Sequence, residues 1–213
     1  MPGRVGATNV GAMTSSPLGR LLAASLVVAP AIYLIADLLY ATRGWDDPTA
    51  AVVHVLAAVG YTLVIVRLVT LGSGSLAAVL LVVGAFGAAG DIAYGFNAIH
   101  VSLGDTDLVD ATGAALLIKP LGLCFPLTLL LGAAVLRRIA ATWTVALLAV
   151  SAIAWPVAHI ANIGWLAVAV NAALVAVFSA VAVVLNRTPD PVSASASQPA
   201  ASTQHPHVPR RGR

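Results

Sequence analysis

Two charged residues, Asp91 and Lys119, lie well inside long apolar segments. If these segments cross a membrane, a charge at the bilayer centre costs at least about 2.5 to 3.5 kcal/mol, so opposite charges at similar depth should pair. Counting inward from the segment ends, at about 1.5 Å per residue, places each of them roughly 15 Å deep. The sequence therefore predicts an intramembrane Asp91–Lys119 ion pair between neighbouring helices.

This ion pair has two interpretations. It could relay protons or ions, or anchor a bound polar group; alternatively, it simply fixes how two helices dock. A relay needs polar groups leading to both sides of the membrane, and here they lead to one side only. The structural role is therefore favoured, and the relay remains the alternative.

A second set of polar side chains gathers toward the predicted outer ends of the same segments. It comprises Asp37, Tyr40, His54, Tyr61, Tyr94, Asn97, His100, Asp110 and His159. The opposite half is nearly all aliphatic until Arg67 and the pair Arg137 and Arg138. This distribution predicts a polar pocket that opens outward and is bounded below by the layer of Asp91 and Lys119.

Histidines and aspartates in such a pocket raise the question of metal or haem binding. A metal needs three or four ligands, for example His54, His100, His159 and Asp37, but no two of these have the spacing of a ligand pair on one helix. A bis-histidine haem needs two histidines at matching depth, and these lie shallow. The sequence therefore predicts no metal and no cofactor, and each histidine is interpreted as a hydrogen-bonded residue near the interface.

The elements that position these residues follow from composition. Of 213 residues, 60% are hydrophobic and 9% charged, against about 25% charged in a soluble domain. This excludes a soluble enzyme and a fibrous chain, and it predicts an all-α bundle of six transmembrane helices. The predicted spans are 18–42, 49–71, 75–103, 109–136, 139–158 and 163–185, and the break between the last two is the weakest.

The chain divides into three predicted regions. Residues 1–17 form a mobile segment, 18–187 the transmembrane domain, and 188–213 a disordered tail rich in Pro, Ser, Ala, Gln and Thr. A run of small residues, 84–90 in the third span, predicts close approach of another helix. Trp45, Trp155 and Trp165 are expected near the outer interface.

Arginines set the predicted orientation. Six spans place nearly all of them on one side, whereas Asp46, Asp47, Asp105 and Asp107 fall on the other. The rule that cytoplasmic loops carry the positive charge predicts both termini in the cytoplasm and a location in the inner (plasma) membrane. Arginines confined to chain ends and turns do not indicate nucleic-acid binding.

The segments Ile-Ala-Asp-Leu-Leu-Tyr (residues 35–40), Gly-Trp-Asp-Asp-Pro (44–48) and His-Val-Leu-Ala (54–57) carry a resemblance. Together they resemble small multi-pass integral membrane proteins of actinobacterial genomes, over roughly residues 18–138. The resemblance implies a membrane location and no particular activity.

The expected function is binding of a small molecule or lipid in the outward-facing pocket, or an accessory role to a partner membrane protein, without enzymatic activity. One alternative is a proton-coupled transporter that uses Asp91 and Lys119, although no inverted repeat is evident. The other is a membrane-embedded enzyme that modifies lipids, with His54, His100 or His159 as the acid or base.

Overall fold

The computed structural model describes residues 16–187, which form six long α-helices joined by short connections. The helices are α1 (Pro17–Arg43), α2 (Pro48–Leu71), α3 (Gly74–Ser102), α4 (Ile118–Leu136), α5 (Thr142–Ile160) and α6 (Gly164–Arg187), and a 3₁₀ turn (Gly113–Leu117) precedes α4. All six are long and apolar enough to cross a membrane when α4 is counted with its 3₁₀ turn. The predicted six-helix fold is confirmed, whereas residues 1–15 and the predicted tail at 188–213 lie outside the described residues.

Two helix starts are defined by a capping residue followed by proline. The Ser16 hydroxyl accepts a hydrogen bond from the Gly19 N–H at 3.0 Å, and Asp47 accepts one from the Ala50 N–H at 2.8 Å. In each case the next residue is a proline, which has the backbone angle of a first helical turn and no N–H to satisfy. These local signals fix where α1 and α2 begin.

The fourth span begins later than predicted. Residues 109–112 form turns and irregular backbone, the 3₁₀ turn follows, and α4 starts at Ile118. Lys119 is therefore the second residue of α4, and Pro120 lies in the first turn, where proline is well tolerated. The predicted mid-span position of Lys119 was wrong for this reason. The fifth helix likewise starts at Thr142, and its end at Ile160 confirms the predicted break before α6.

The helices pack as a closed ring. Each contacts the next along the chain, α6 returns to α1, and α2 also reaches α4 across the centre. The interior is filled by large apolar and aromatic side chains such as Tyr33, Tyr61, Phe125 and Phe178. Apolar side chains also cover the outside of the ring, for example Val150 at 62% exposure, as expected for helices surrounded by lipid.

Helices α3 and α4 approach each other most closely at two glycines. A Cβ added at Gly90 would overlap the backbone of Leu121 and Gly122 and lie 2.6 Å from the Leu121 carbonyl oxygen. A Cβ at Gly87 would lie 2.8 Å from backbone atoms of Cys124 and Phe125. The predicted close approach at this small-residue run is therefore present, and it holds Asp91 beside α4.

Candidate functional site

Three connections lie at one end of the ring, which we call the acidic end. The Trp45 indole N–H donates to the Asn162 carbonyl at 2.9 Å and so ties the α1–α2 connection to the α5–α6 connection. The aspartates of this end are Asp46, Asp47, Asp105, Asp107 and Asp110. The opposite end, the basic end, carries Arg20, Arg137, Arg138 and Arg187.

The first buried cluster surrounds Asp91 on α3. The Tyr33 hydroxyl donates to Asp91 Oδ1 at 3.0 Å, and His54 Nε2 lies 3.3 Å from the same oxygen and 3.2 Å from the Asp91 backbone carbonyl. Both oxygens accept, so Nε2 carries a proton. Within residues 16–187, Asp91 Oδ2 and His54 Nδ1 are buried without a hydrogen-bond partner. Asp91 is thus satisfied on one oxygen only.

The second buried cluster surrounds Asp37 on α1. His159 Nδ1 donates to the Trp155 carbonyl at 3.0 Å, and His159 Nε2 lies 3.3 Å from Asp37 Oδ1. The other carboxylate oxygen accepts from the Asn171 amide. Both ring nitrogens of His159 and both carboxylate oxygens of Asp37 therefore have partners.

The Tyr33 ring lies between the two clusters. Its centroid is 4.8 Å from that of His54 and 5.9 Å from that of His159, with Tyr61 and Phe125 at 5.9 and 6.0 Å. These aromatic residues pack the core on the side of the clusters toward the basic end. A tyrosine that bonds one aspartate and touches both histidines makes the two clusters one packed unit.

A cavity of about 360 Å³ adjoins both clusters, between α3, α4 and α5 near the acidic end. It is lined by Asp91, Tyr94, Asp107, Val109, Asp110, Ile118, Lys119, Gly122, Leu123, Trp155, His159, Ile160 and Asn162. A volume of this size accommodates a small organic molecule. Asp91 and His159 connect the cavity wall to the buried clusters.

The predicted ion pair between Asp91 and Lys119 is not formed, and each residue has a different partner. Lys119 Nζ lies 3.8 Å from Asp110 Oδ1, and the two side chains are 53% and 82% exposed. Asp91 instead contacts Tyr33 and His54. The reason is the late start of α4, which places Lys119 in a first helical turn at the cavity mouth. Both residues nevertheless line the same cavity.

Of the nine residues predicted for the outer pocket, Tyr94, Asp110 and His159 line the cavity. Asp37 and His54 lie behind its wall in the buried clusters. The other four have structural surroundings: Tyr40 stacks on Trp45, Tyr61 packs against Phe125, Asn97 bonds Asp107 and the Leu108 N–H, and His100 bonds Asp105.

Sequence reasoning missed Tyr33, Asn171 and the position of Trp155. Tyr33 lies four residues before Asp37 on one helix face, a signal that was available. Asn171 is a polar residue inside an apolar span, which is also a recognisable signal. Trp155 was expected at the interface, but it is only 6% exposed and stacks on His159 with centroids 4.1 Å apart.

Within residues 16–187, no group of three or more His, Cys, Asp or Glu side chains is placed to hold a metal ion. Compared with known proteins, the chain matches no protein family, no curated protein and no solved structure. The arrangement can bind a polar molecule at a carboxylate, against aromatic side chains and beside a lysine at the mouth.

Proposed function

We propose that this multi-pass membrane protein binds a small molecule in the cavity near its acidic end. The observation that carries the proposal is Asp91 Oδ2, a buried carboxylate oxygen without a partner among residues 16–187, on a residue that lines the cavity. A buried polar atom without a hydrogen bond is costly, so a polar ligand that bonds Asp91 would stabilise the site. More than half of the cavity wall is apolar, and polar groups set in such a wall are typical of small-molecule binding sites.

The proposal includes an orientation. The acidic end faces the outside, and the basic end with both termini faces the cytoplasm of the cell whose plasma membrane holds the protein. The support is the arginines near the basic end, because cytoplasmic segments carry an excess of Lys and Arg. The ligand then enters from outside the cell or from the outer leaflet.

Binding is favoured over transport and over lipid modification. Toward the basic end the core is filled by the Tyr61 ring, which contacts the rings of both Phe125 and Phe178. This packing favours a closed pocket over a passage. Lys119, which the carrier hypothesis requires, lies half-exposed at the mouth. Against lipid modification, His54 and His100 do not line the cavity. His159 lines it, but both of its ring nitrogens are engaged, with the Trp155 carbonyl and with Asp37.

Gly122 offers a direct test. It lines the cavity, and a Cβ there would meet no atom within 4 Å. The variant Gly122→Phe should fill the cavity while leaving helix packing intact. Val150→Phe, on the lipid-facing side of α5, is the matched control for an added aromatic ring.

The full chain, purified in detergent, is screened by thermal unfolding against small amines, carboxylates, sugars and phosphate esters. A ligand at 100 times its Kd stabilises the folded state by about 2.7 kcal/mol. We expect at least one compound class to stabilise wild type and Val150→Phe but not Gly122→Phe. Equal stabilisation of all three by every active compound, or none by any compound, would contradict the proposal.

A further inference from the structure

The cavity lining is not balanced in charge. It contains three aspartates, Asp91, Asp107 and Asp110, whereas Lys119 is the one lysine or arginine in the lining. Lys119 pairs with Asp110 at 3.8 Å. Asp107 Oδ1 accepts from the Asn97 amide and from the Val109 N–H, each at 2.8 Å. Among these lining carboxyl groups, only that of Asp91 has a buried oxygen without a hydrogen-bond partner in residues 16–187.

Neither nearby histidine is a hydrogen-bond partner of that oxygen. His54 Nε2 lies 3.3 Å from the other carboxylate oxygen, Asp91 Oδ1, and His159 Nε2 lies 3.3 Å from Asp37 Oδ1. Asp91 Oδ2 is therefore an acceptor that a donor from outside the described chain could satisfy.

The remaining walls suit a cation that carries an apolar part. Tyr94 and Trp155 line the cavity, and aromatic rings attract ammonium groups. Ile118, Leu123 and Ile160 also line it, and Ile160 is 69% exposed on the outside of the ring. A ligand bound at Asp91 therefore has an apolar surface beside it that continues toward the lipid.

We infer that the ligand is an amphiphilic organic cation, with an ammonium group at the Asp91 carboxylate and its alkyl part along Leu123 and Ile160. This inference rests on the proposed function, because it names the ligand class of the same cavity. The ammonium can belong to a free amine or to a lipid headgroup. In both cases the Asp91 carboxylate would recognise the ammonium group.

Three probes of matched size test the charge requirement: hexylammonium, hexanol and hexanoate. Their binding to the full chain in phosphatidylglycerol nanodiscs is measured by calorimetry, with Gly122→Phe correcting for partition into lipid. We expect hexylammonium to bind most tightly. Asp91→Asn keeps an oxygen for Tyr33 and His54, so the variant should fold, and we expect at least about tenfold weaker binding of hexylammonium.

Asp105→Asn is the charge-matched control, since Asp105 lies at the same end, is 57% exposed and does not line the cavity. It should bind hexylammonium as wild type does. The titration is repeated in nanodiscs of phosphatidylethanolamine, a lipid whose headgroup carries an ammonium. Weaker binding of hexylammonium there indicates that the lipid headgroup competes for the site, and unchanged affinity indicates a free amine as the ligand. Both results support a cation site.

The inference is overturned if hexanol or hexanoate binds as tightly as hexylammonium, or if Asp91→Asn leaves hexylammonium binding unchanged. If Gly122→Phe still abolishes the binding in those cases, the proposed function stands and only the cation inference fails. If no probe binds, the cation inference fails, and the broader compound screen decides the proposed function separately.

Discussion

Replacing Gly90 by alanine should separate α3 from α4. The added Cβ would lie 2.6 Å from the Leu121 carbonyl oxygen, about 0.8 Å short of ordinary contact, and it would overlap neighbouring backbone atoms. These obstructing atoms belong to the backbone of a helix and cannot rotate away. Overpacking of this kind costs typically 1–3 kcal/mol, and alanine returns up to roughly 1 kcal/mol through its better helix propensity. Because the obstructing atoms are backbone, the cost should lie near the upper end of that range, about 3 kcal/mol, and we expect a net loss of about 2 kcal/mol.

Gly122→Ala is the matched control on the facing helix. Its Cβ would meet open space, so only the gain in helix propensity remains, and stability should rise by up to roughly 1 kcal/mol. Both variants are unfolded by titration with sodium dodecyl sulfate in mixed micelles, followed by circular dichroism. The reasoning about the α3–α4 contact is refuted if Gly90→Ala is as stable as Gly122→Ala.

Two further substitutions test the hydrogen bonds around the site. Tyr33→Phe removes the hydroxyl donor of Asp91, so the same titration should show a loss of about 1–3 kcal/mol; unchanged stability would mean that this bond does not form. Asn97→Ala leaves the Leu108 N–H without its acceptor and should cost about 1–2 kcal/mol, with faster proteolysis of the 103–112 connection; wild-type proteolysis would contradict that role.

The six helices were predictable because a membrane requires about 20 consecutive apolar residues for each span. That requirement produces long apolar segments in the sequence, and a single polar residue within a segment does not obscure it. Capping added precision at the start of α2, where Asp47 and Pro48 occupy adjacent positions. Fold class therefore followed from composition and length together.

The position of Lys119 within its helix could not be predicted from hydropathy. A lysine in an apolar run can lie in mid-helix or in a first turn, and hydropathy does not separate these cases. Gly113, with φ of +73°, opens a 3₁₀ turn that delays α4 to Ile118. This local backbone choice moved Lys119 away from Asp91 and toward Asp110.

The sequence predicted the depth at which the buried polar residues lie, but it did not predict which of them would pair. Asp37 bonds residues 122 and 134 positions later in the chain, His159 and Asn171. Which helices become neighbours depends on the closure of the ring between α6 and α1. Spacing along one helix carries no information about that closure. The sequence therefore located the polar residues but not the residues that they contact on other helices.

The most direct test of the central proposal is chemical access to the cavity from outside the cell. The variant Gly122→Cys, in a background where the single cysteine is replaced by Cys124→Ala, places a thiol on the cavity wall. Intact cells are treated with a membrane-impermeant maleimide, and Val150→Cys in the same background serves as a lipid-facing control. We predict labelling of Gly122→Cys in intact cells, slowed by hexylammonium, and little labelling of the control. Labelling of Gly122→Cys only after permeabilisation, or not at all, would contradict a pocket that opens outward.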